Sequence, residues 1–376
     1  MKRGRSNLFW GAVATLTGTI IGAGILGIPY VFSKAGLLVG IINIIVLGTI
    51  VLFVNLYMGE ILLRTRGSHQ LPGYAEKYLG KTGKILMLIS SFVYLYGALS
   101  AYVLGEGEVL SFIVLGSTNY SFLFGLGFLA IMAFLVYRGL NTLEEGEEWG
   151  LVAIIVMILI LFFYFFPKIN ISNMVLASPN PIMWFLPYGV VLFACMALSA
   201  LPVLRDELRG KEKLLKRTII IGSLIPIVVY LLFSIIVYGF AGASTPEIAT
   251  IVLGKLPSLF AVFTIFGSFF ALGIALKSIY RYDLKLKHKT SFWITIIPVF
   301  VIFTIVSLFK LASFVKIMGF VGTFAGGLAG FLILLMIKKA KKNGKRKPEY
   351  SIPAYWWIIW ILAIIFIAGI AYQFIF

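Results

Sequence analysis

The chain has 376 residues, of which 61% are hydrophobic and only 12% are charged, and its formal net charge is +18 at pH 7. Soluble domains are about half apolar and a quarter charged, so this composition excludes a soluble protein and indicates an integral membrane protein. The single cysteine, Cys195, excludes an internal disulfide.

Eleven apolar stretches are each long enough to cross a bilayer, which takes roughly 17–25 residues, or more with tilt. We number them spans 1 to 11, with predicted bounds 8–32, 36–63, 84–115, 120–140, 149–166, 182–204, 216–240, 257–280, 291–309, 311–337 and 354–375. The basic start leads directly into a full-length span, so we expect no cleaved signal peptide. The prediction is a single polytopic domain over residues 1–376.

Lys and Arg residues are distributed unevenly between the connections of these spans. With the N-terminus in the cytoplasm, 27 of the 32 fall on the cytoplasmic side, and Lys34, Lys168, Lys255, Lys310 and Lys316 fall outside. This positive-inside pattern predicts a multi-pass protein of the cell membrane with a cytoplasmic N-terminus and an extracellular C-terminus. Topology and attraction to the anionic lipid of the bilayer explain the basic charge, and we expect no nucleic-acid partner.

Glycines interrupt span 1 in its middle, in the run TLTGTIIGAGILGIP at residues 15–29. Each glycine weakens a helix by roughly 1 kcal/mol relative to Ala, and lipid offers an open backbone no hydrogen-bond partners. The run therefore predicts a helix that opens at mid-membrane and turns its backbone toward a polar ligand. Close helix packing is the alternative, because pairs such as Gly18 and Gly22 are common at membrane helix interfaces.

The eleven spans divide into five, five and one. Since span 1 runs outward and span 6 runs inward, residues 8–166 and 182–337 are predicted to form two inverted five-helix repeats, with 354–375 as an extra C-terminal helix. Span 6 is then the counterpart of span 1. Prolines distort helices, so Pro187 near its start and Pro202 near its end predict that span 6 is also irregular.

Two connections carry weaker predictions of structure. The segment 64–84 is long enough for a short amphipathic helix on the membrane surface around Tyr74–Leu79. The segment 243–257 fits either a short helix that begins near Ser244 and Thr245 or an ordinary connector.

Three runs, GTIIGAGILGIPYVFSKAG, YAEKYLGKTGK and YGALSAYVLGEGEVL, resemble the bacterial aromatic and hydroxy amino acid permeases. These belong with the amino acid/auxin permeases and the amino acid–polyamine–organocation superfamily. The resemblance is clearest over residues 15–110 and continues more loosely through FACMALSALP in span 6 and FGSFFALGIAL in span 8. It implies an all-α, leucine-transporter-like fold of two inverted five-helix repeats with an eleventh helix. It also implies symport of an amino acid, usually with protons and in some relatives with sodium.

The head group of an amino acid needs donors for its carboxylate and acceptors for its ammonium group, and a broken helix supplies both. We expect the head group to bind the span 1 residues Thr19, Gly22, Ala23 and Gly24. The other predicted substrate-binding residues are Tyr94 of span 3, Phe193, Ala194, Cys195, Met196 and Ala197 of span 6, and Ser268 of span 8. Ordinary packing is the alternative for any one of them, and of Tyr94 and Tyr96, which point to different faces, at most one lines the site.

Carboxylates inside spans are costly and are therefore candidates for function. Glu60, Glu106 and Glu108 are candidates to carry a coupling proton. The alternative for Glu60 is an ion pair with Arg64, four residues later. The alternatives for the other two are snorkelling to the interface or a gate with Lys316.

Hydroxyl groups of span 8 are weaker candidates for a sodium site. Thr264 and Ser268 could join span 1 carbonyls around the ion, but Gly267 stands where some sodium-coupled relatives offer a second hydroxyl. Proton coupling is therefore favoured over sodium coupling.

The sequence shows no sign of an enzyme. Both histidines, His69 and His288, lie in connections, and GAGILG lacks the strand and helix context of a nucleotide-binding loop. We expect no cofactor and no resident metal. The predicted function is a secondary active transporter of a neutral amino acid, aromatic or small and hydrophobic, coupled to protons. The alternatives are a sodium-coupled symporter and a non-transporting sensor or channel on the same fold.

Overall fold

The computed structural model describes residues 5–67, 69–139 and 147–375, and all regular secondary structure in these ranges is helical. Eight helices are long and apolar enough to cross a membrane, and a bent pair in span 1 makes a ninth. Shorter apolar helices at Ile155–Lys168 and Trp356–Tyr372 correspond to spans 5 and 11. The described residues therefore contain helix in each predicted span.

The unbroken spans begin and end close to their predicted bounds, except that the helix of span 3 starts earlier. Spans 2 to 5 are Leu37–Arg64, Leu71–Leu115, Ser121–Arg138 and Glu147–Phe165. Spans 7, 8, 9 and 11 are Leu215–Ala241, Lys255–Ser278, His288–Phe309 and Trp356–Ile375, and span 10 runs from Phe314 to Asn343 through a π-helical turn at Gly322–Gly326. We call the end of the bundle near Arg64, Arg205 and Lys277 the basic side, and the other end the opposite side.

Span 1 is broken where its glycines predict. Helix 1a (Arg5–Ile20) and helix 1b (Gly24–Ala35) are bent by 51° across a short non-helical segment. The N–H of Gly22 donates to the carbonyl of Ile20, only two residues back, at 2.8 Å. This tight turn ends the regular hydrogen-bond ladder of the helix, so 1a stops at Ile20.

Span 6 is also broken, as the irregularity predicted from its prolines requires. Helix 6a (Leu186–Cys195) and helix 6b (Ala200–Glu207) flank a non-helical centre at residues 196–199. Pro187 lies in the first turn of 6a, where a missing N–H costs nothing. Pro202 lies in the first turn of 6b, and it cannot donate to the carbonyl of Leu198 four residues back, so the helix cannot continue unbroken through the centre.

The predictions for the two connections, 64–84 and 243–257, have different outcomes. The surface helix predicted around Tyr74–Leu79 is present as the start of the Leu71–Leu115 helix, and Gly80, with φ 78° and ψ −166°, separates it from span 3. A residue with a Cβ rarely adopts this backbone conformation. The segment 243–257 contains only short 3-10 turns, at Gly242–Ser244 and Ile251–Leu253, before span 8 begins at Lys255, so it is a connector.

Candidate functional site

The breaks of spans 1 and 6 lie side by side. A Cβ built on Gly24 would stand 2.7 Å from the Cβ of Ala194 and 2.8 Å from its Cα. Real Cβ atoms do not approach carbon this closely, so 1b and 6a meet here with no room for a side chain. The structure thus brings together Gly24 and Ala194, two residues that the sequence predicted for one site.

Backbone donors without partners gather at these breaks. Within the described ranges, the N–H groups of Ala23, Ala197, Leu198 and Ser199 donate to no hydrogen-bond acceptor. Ala23, Ala197 and Leu198 are at most 7% exposed. A buried polar group left unpaired costs about 1–3 kcal/mol, so the N–H groups of these three buried residues favour a polar ligand. They precede helices 1b and 6b, whose N-terminal ends carry partial positive charge, and together they can bind a carboxylate.

The carbonyl ends of the two preceding half-helices share one hydroxyl. The Tyr230 Oη lies 2.6 Å from the carbonyl oxygen of Ile20 and 2.9 Å from that of Ala194. The Tyr230 side chain is fully buried. Our sequence reasoning missed this residue. The signal was a tyrosine inside the apolar run IPIVVYLLF of span 7, since a buried tyrosine hydroxyl usually finds a partner.

Aromatic rings line the break from span 3. The ring of Tyr94 stacks on Phe193 with centroids 5.3 Å apart, and Tyr102 meets the same ring edge-on at 6.4 Å. The Tyr96 hydroxyl instead bonds to the Tyr280 hydroxyl at 2.8 Å. Of the pair Tyr94 and Tyr96, Tyr94 is therefore the one beside the break, and its role in binding stays a prediction. Tyr102 is a neighbour of the break that the list of candidates omitted.

Hydroxyl groups also approach the break of span 1. A Cβ on Gly22 would lie 2.6 Å from the Ser268 Oγ and 3.7 Å from the Tyr102 Oη, so both hydroxyls stand against the backbone of Gly22. Ser268 is thus placed with the span 1 candidates. Thr264, one turn away, donates to the carbonyls of Phe260 and Ala261 in its own helix at 3.1 and 3.0 Å.

The remaining candidates lie at the edges of this arrangement. Thr19 is exposed, and its hydroxyl donates to the carbonyl of Thr15 at 2.7 Å. Cys195 and Met196 are each 5% exposed. A Cβ on Gly326 of span 10 would lie 2.8 Å from the Met196 sulfur, so this side chain packs toward span 10. The roles of these residues stay predictions.

The carboxylate of Glu60 is buried and fully engaged. It accepts hydrogen bonds from Arg64 at 2.8 Å, Lys341 at 2.7 Å, the Ser351 hydroxyl at 2.9 Å and the Ile352 N–H at 2.9 Å. The ion pair with Arg64 that the spacing suggested is therefore present. Two cations and two further donors stabilise the ionised form of the carboxylate. Glu60 lies on the basic side of the bundle, away from the breaks.

Glu106 and Glu108 have different surroundings. The Glu106 side chain is 1% exposed, and its Oε2 has no hydrogen-bond partner in the described part of the chain. It follows Tyr102 by one helical turn, toward the opposite side. Glu108 interacts electrostatically with Glu247 of the connection between spans 7 and 8. Lys316 is exposed, and among the described residues it forms no ion pair with either glutamate.

The connection between spans 7 and 8 covers the breaks from the opposite side. The Ala249 N–H donates to the carbonyl of Leu26 in helix 1b at 3.0 Å. The Glu247 carboxylate accepts from the N–H of Val315, at the start of span 10, at 3.0 Å. Ile248 between them is fully buried. This connection is therefore packed against helix 1b and the start of span 10.

Comparison with known proteins agrees with the resemblance found in the sequence. The sequence profile of the tryptophan/tyrosine permease family matches residues 5–373. Tyrosine-specific transport system 1 of Haemophilus influenzae is 25% identical over 237 residues, which are 61% of this chain and 57% of that protein. Glutamine transporter 2 of Aliivibrio fischeri is 20% identical over 92% of both chains. Spore germination protein A2 of Bacillus subtilis is 29% identical over 70% of this chain and 71% of that protein.

The fold has a counterpart among solved structures. The crystal structure of MhsT in complex with L-phenylalanine superposes with a TM-score of 0.71 over 99% of both chains, at 13% sequence identity. At this identity the agreement concerns the fold alone. It confirms the prediction of an all-α, leucine-transporter-like membrane fold.

Proposed function

The chain belongs to the tryptophan/tyrosine permease family, and on this premise we propose that it is a secondary active transporter of a neutral amino acid. The observation that carries the proposal is the set of four N–H groups, at two adjacent helix breaks, that have no partner among the described residues. Midplane helix breaks are where many secondary transporters bind their substrates. Because the family is one of permeases, membership also agrees with the prediction that the chain is not an enzyme.

The groups at the breaks match the two ends of an amino acid. Its carboxylate would accept hydrogen bonds from the N–H groups of Ala23 and residues 197–199, and its ammonium group would donate to nearby carbonyls and to the Ser268 hydroxyl. Its side chain would lie against Tyr94 and Phe193. Aromatic surroundings suit an apolar side chain, which supports a neutral aromatic or hydrophobic substrate.

Uptake into proteoliposomes tests this proposal. Purified protein is offered a panel of amino acids under an imposed proton gradient, an imposed sodium gradient, or neither. We expect accumulation of at least one neutral amino acid, and we expect it to protect Cys195 from alkylation. If no amino acid binds and none is taken up under either gradient, the proposal is wrong.

Proton coupling is the finer part of the proposal, and we assign the proton to Glu106. Its buried Oε2 lacks a partner in the part of the chain that the structure describes. A buried carboxylate without a partner favours the protonated form until a conformational change opens it to water. Glu60 suits this role less well, because four donors hold it. Sodium coupling would instead place the ion between span 1 carbonyls and the Ser268 hydroxyl.

The variant Glu106→Gln tests the coupling. We expect it to lose proton-driven accumulation while it keeps exchange of internal for external amino acid, since a permanently neutral side chain mimics the protonated state. The surface variant Glu76→Gln is the matched control and should behave as the wild type. If Glu106→Gln and Glu108→Gln both accumulate substrate in response to a proton gradient, neither carboxylate is the coupling group.

A non-transporting amino acid sensor is the second candidate. One relative at 29% identity is named for spore germination and not for transport, and this keeps the candidate open. The same experiment decides between the candidates, because a sensor binds an amino acid but does not move it across the proteoliposome membrane.

Placement in the cell membrane with a cytoplasmic N-terminus is also a proposal, supported by the clustering of Lys and Arg on the basic side. The division into repeats at 8–166 and 182–337 is supported by the paired breaks in spans 1 and 6. Labelling of cysteines introduced at exposed Lys310 and Lys289 from one side of intact cells tests the orientation. Labelling of the Lys289 position from outside would reverse it.

A further inference from the structure

Tyr230 connects the two broken spans at the ends of their first halves. Ile20 is the last residue of helix 1a, and Ala194 is the second-last residue of helix 6a. The last four carbonyls of a helix have no partner within that helix. The Tyr230 hydroxyl lies within 2.6 and 2.9 Å of these two oxygens, and the side chain is fully buried. Its hydrogen therefore serves two carbonyls from separate spans.

The position of the Tyr230 hydroxyl reduces the electrostatic repulsion between two helix ends. The C-terminal end of a helix carries partial negative charge, and two such ends repel each other when they meet in a medium of low dielectric. In many transporters a bound cation sits between such carbonyls. In this chain the O–H of Tyr230 supplies the positive end of a dipole at the same point.

The two carbonyls also fix the position of the free donors. Ala23 follows Ile20 by three residues and Ala197 follows Ala194 by three, so each free N–H stands one short turn beyond a carbonyl that Tyr230 holds. The Gly22 N–H tightens the first of these turns by donating to Ile20 as well, at 2.8 Å. A shift of either carbonyl would therefore move the donors that would meet a carboxylate.

We propose that Tyr230 is a positioning residue of the amino acid site, whose hydroxyl holds the half-helix ends together and so sets the geometry of the head-group donors. The role rests on the proposed function, since it presumes that an amino acid carboxylate binds there. It concerns the head group, which all amino acids share. Its loss should therefore weaken binding of every substrate alike.

The test is equilibrium binding of amino acids to the purified full-length Tyr230→Phe variant. We expect affinity to fall by about tenfold for each amino acid that the wild type binds, the effect of one hydrogen bond, with their rank order unchanged. Tyr238→Phe is the matched control. Tyr238 lies in the same span, is 1% exposed, and its hydroxyl accepts from the Val175 N–H at 2.9 Å, away from the breaks. It should bind as the wild type does, whereas Phe193→Leu should change the rank order.

Wild-type affinity in folded Tyr230→Phe would overturn the proposal, and so would a loss confined to some substrates. If Tyr230→Phe is recovered only unfolded, Tyr230→Lys carries the test, because its ammonium can donate to the same two carbonyls. Elsewhere in the protein, the ammonium group of Lys277 in span 8 also donates to two backbone carbonyls, those of Val136 and Tyr137, at 2.6 and 3.1 Å. Folded Tyr230→Lys that binds amino acids supports the proposal, and folded protein that binds none overturns it.

Alkylation of Cys195 separates this proposal from the proposed function. Cys195 follows Ala194 and is 5% exposed, so release of the Ala194 carbonyl should speed its reaction in substrate-free protein. We expect a several-fold faster reaction in Tyr230→Phe than in the wild type or Tyr238→Phe. If the wild type binds no amino acid, the proposed function is wrong. The link between the two half-helices through Tyr230 is rejected separately, by an unchanged rate of Cys195 alkylation in Tyr230→Phe.

Discussion

Replacement of Gly24 by alanine tests the contact on which the site depends. A Cβ at residue 24 would stand 2.7 Å from the Ala194 Cβ and 2.8 Å from its Cα. Carbon atoms in contact prefer about 3.5–4.0 Å, so helices 1b and 6a would have to separate by roughly 1 Å. The backbone of Ala194 cannot rotate away as a flexible side chain can. Overpacking of this kind costs about 1–3 kcal/mol.

Gly18→Ala is the matched control, because a Cβ on Gly18 would meet nothing within 4 Å. Alanine improves helix propensity by roughly 1 kcal/mol in a helix interior such as residue 18, and by less at residue 24, the first residue of helix 1b. The difference between the two variants therefore contains the clash and this smaller difference in propensity. We expect Gly24→Ala to unfold at lower temperature than Gly18→Ala and to lose at least about tenfold in amino acid affinity, since a 1.4 kcal/mol loss is tenfold.

Thermal unfolding and equilibrium binding of the two purified variants give both quantities. Equal stability and affinity in Gly24→Ala and Gly18→Ala would refute the reasoning, because the two positions would then be equivalent. Damage confined to Gly18→Ala would instead favour the alternative that these glycines serve helix packing at residue 18.

Two further substitutions test the charged groups of the basic side. Glu60→Gln removes the charge that Arg64 and Lys341 share, and we expect it to lower the free energy of unfolding by roughly 3 kcal/mol. Glu76→Gln, whose partner Lys84 is 42% exposed, should change it by less than about 1 kcal/mol, and equal effects in thermal unfolding would contradict the account. Lys277→Met leaves helix-end carbonyls of span 4 without a donor and should cost about 1–3 kcal/mol; the change must exceed that of a surface lysine variant measured in parallel.

The break of span 1 could be predicted from the sequence because glycine indicates both a weakened helix and a close contact. Glycine weakens a helix locally, and it also permits the close approach that Gly24 makes to Ala194. The membrane fold was equally accessible, since span length and charge asymmetry are local properties of the chain. The kink at Gly80 was harder to predict, because only the φ of 78° at this residue separates the surface helix from span 3.

The irregularity of span 6 was predicted from its prolines, whereas the role of Tyr230 was not. Proline drew attention to the ends of span 6, yet Pro202 acts four residues earlier, on the carbonyl of Leu198. Tyr230 lies 210 positions from Ile20 and 36 from Ala194, and no local pattern reports which tyrosine of an aromatic-rich chain meets two distant carbonyls. Such long-range partners depend on how the spans pack together. The hydrophobic periodicity of a single span carries no information about that packing.

The Glu60 cluster bears on how the protein is made. The carboxylate enters the bilayer with span 2, but Lys341, Ser351 and Ile352, which supply three of its four hydrogen bonds, are synthesised about 280 residues later. At about 5–20 residues per second of synthesis, Glu60 waits some tens of seconds with Arg64 as its sole partner in this cluster. Membrane insertion of the N-terminal spans therefore precedes their final stabilisation. Until residue 352 has been synthesised, the Glu60 carboxylate therefore lacks at least one of its four donors.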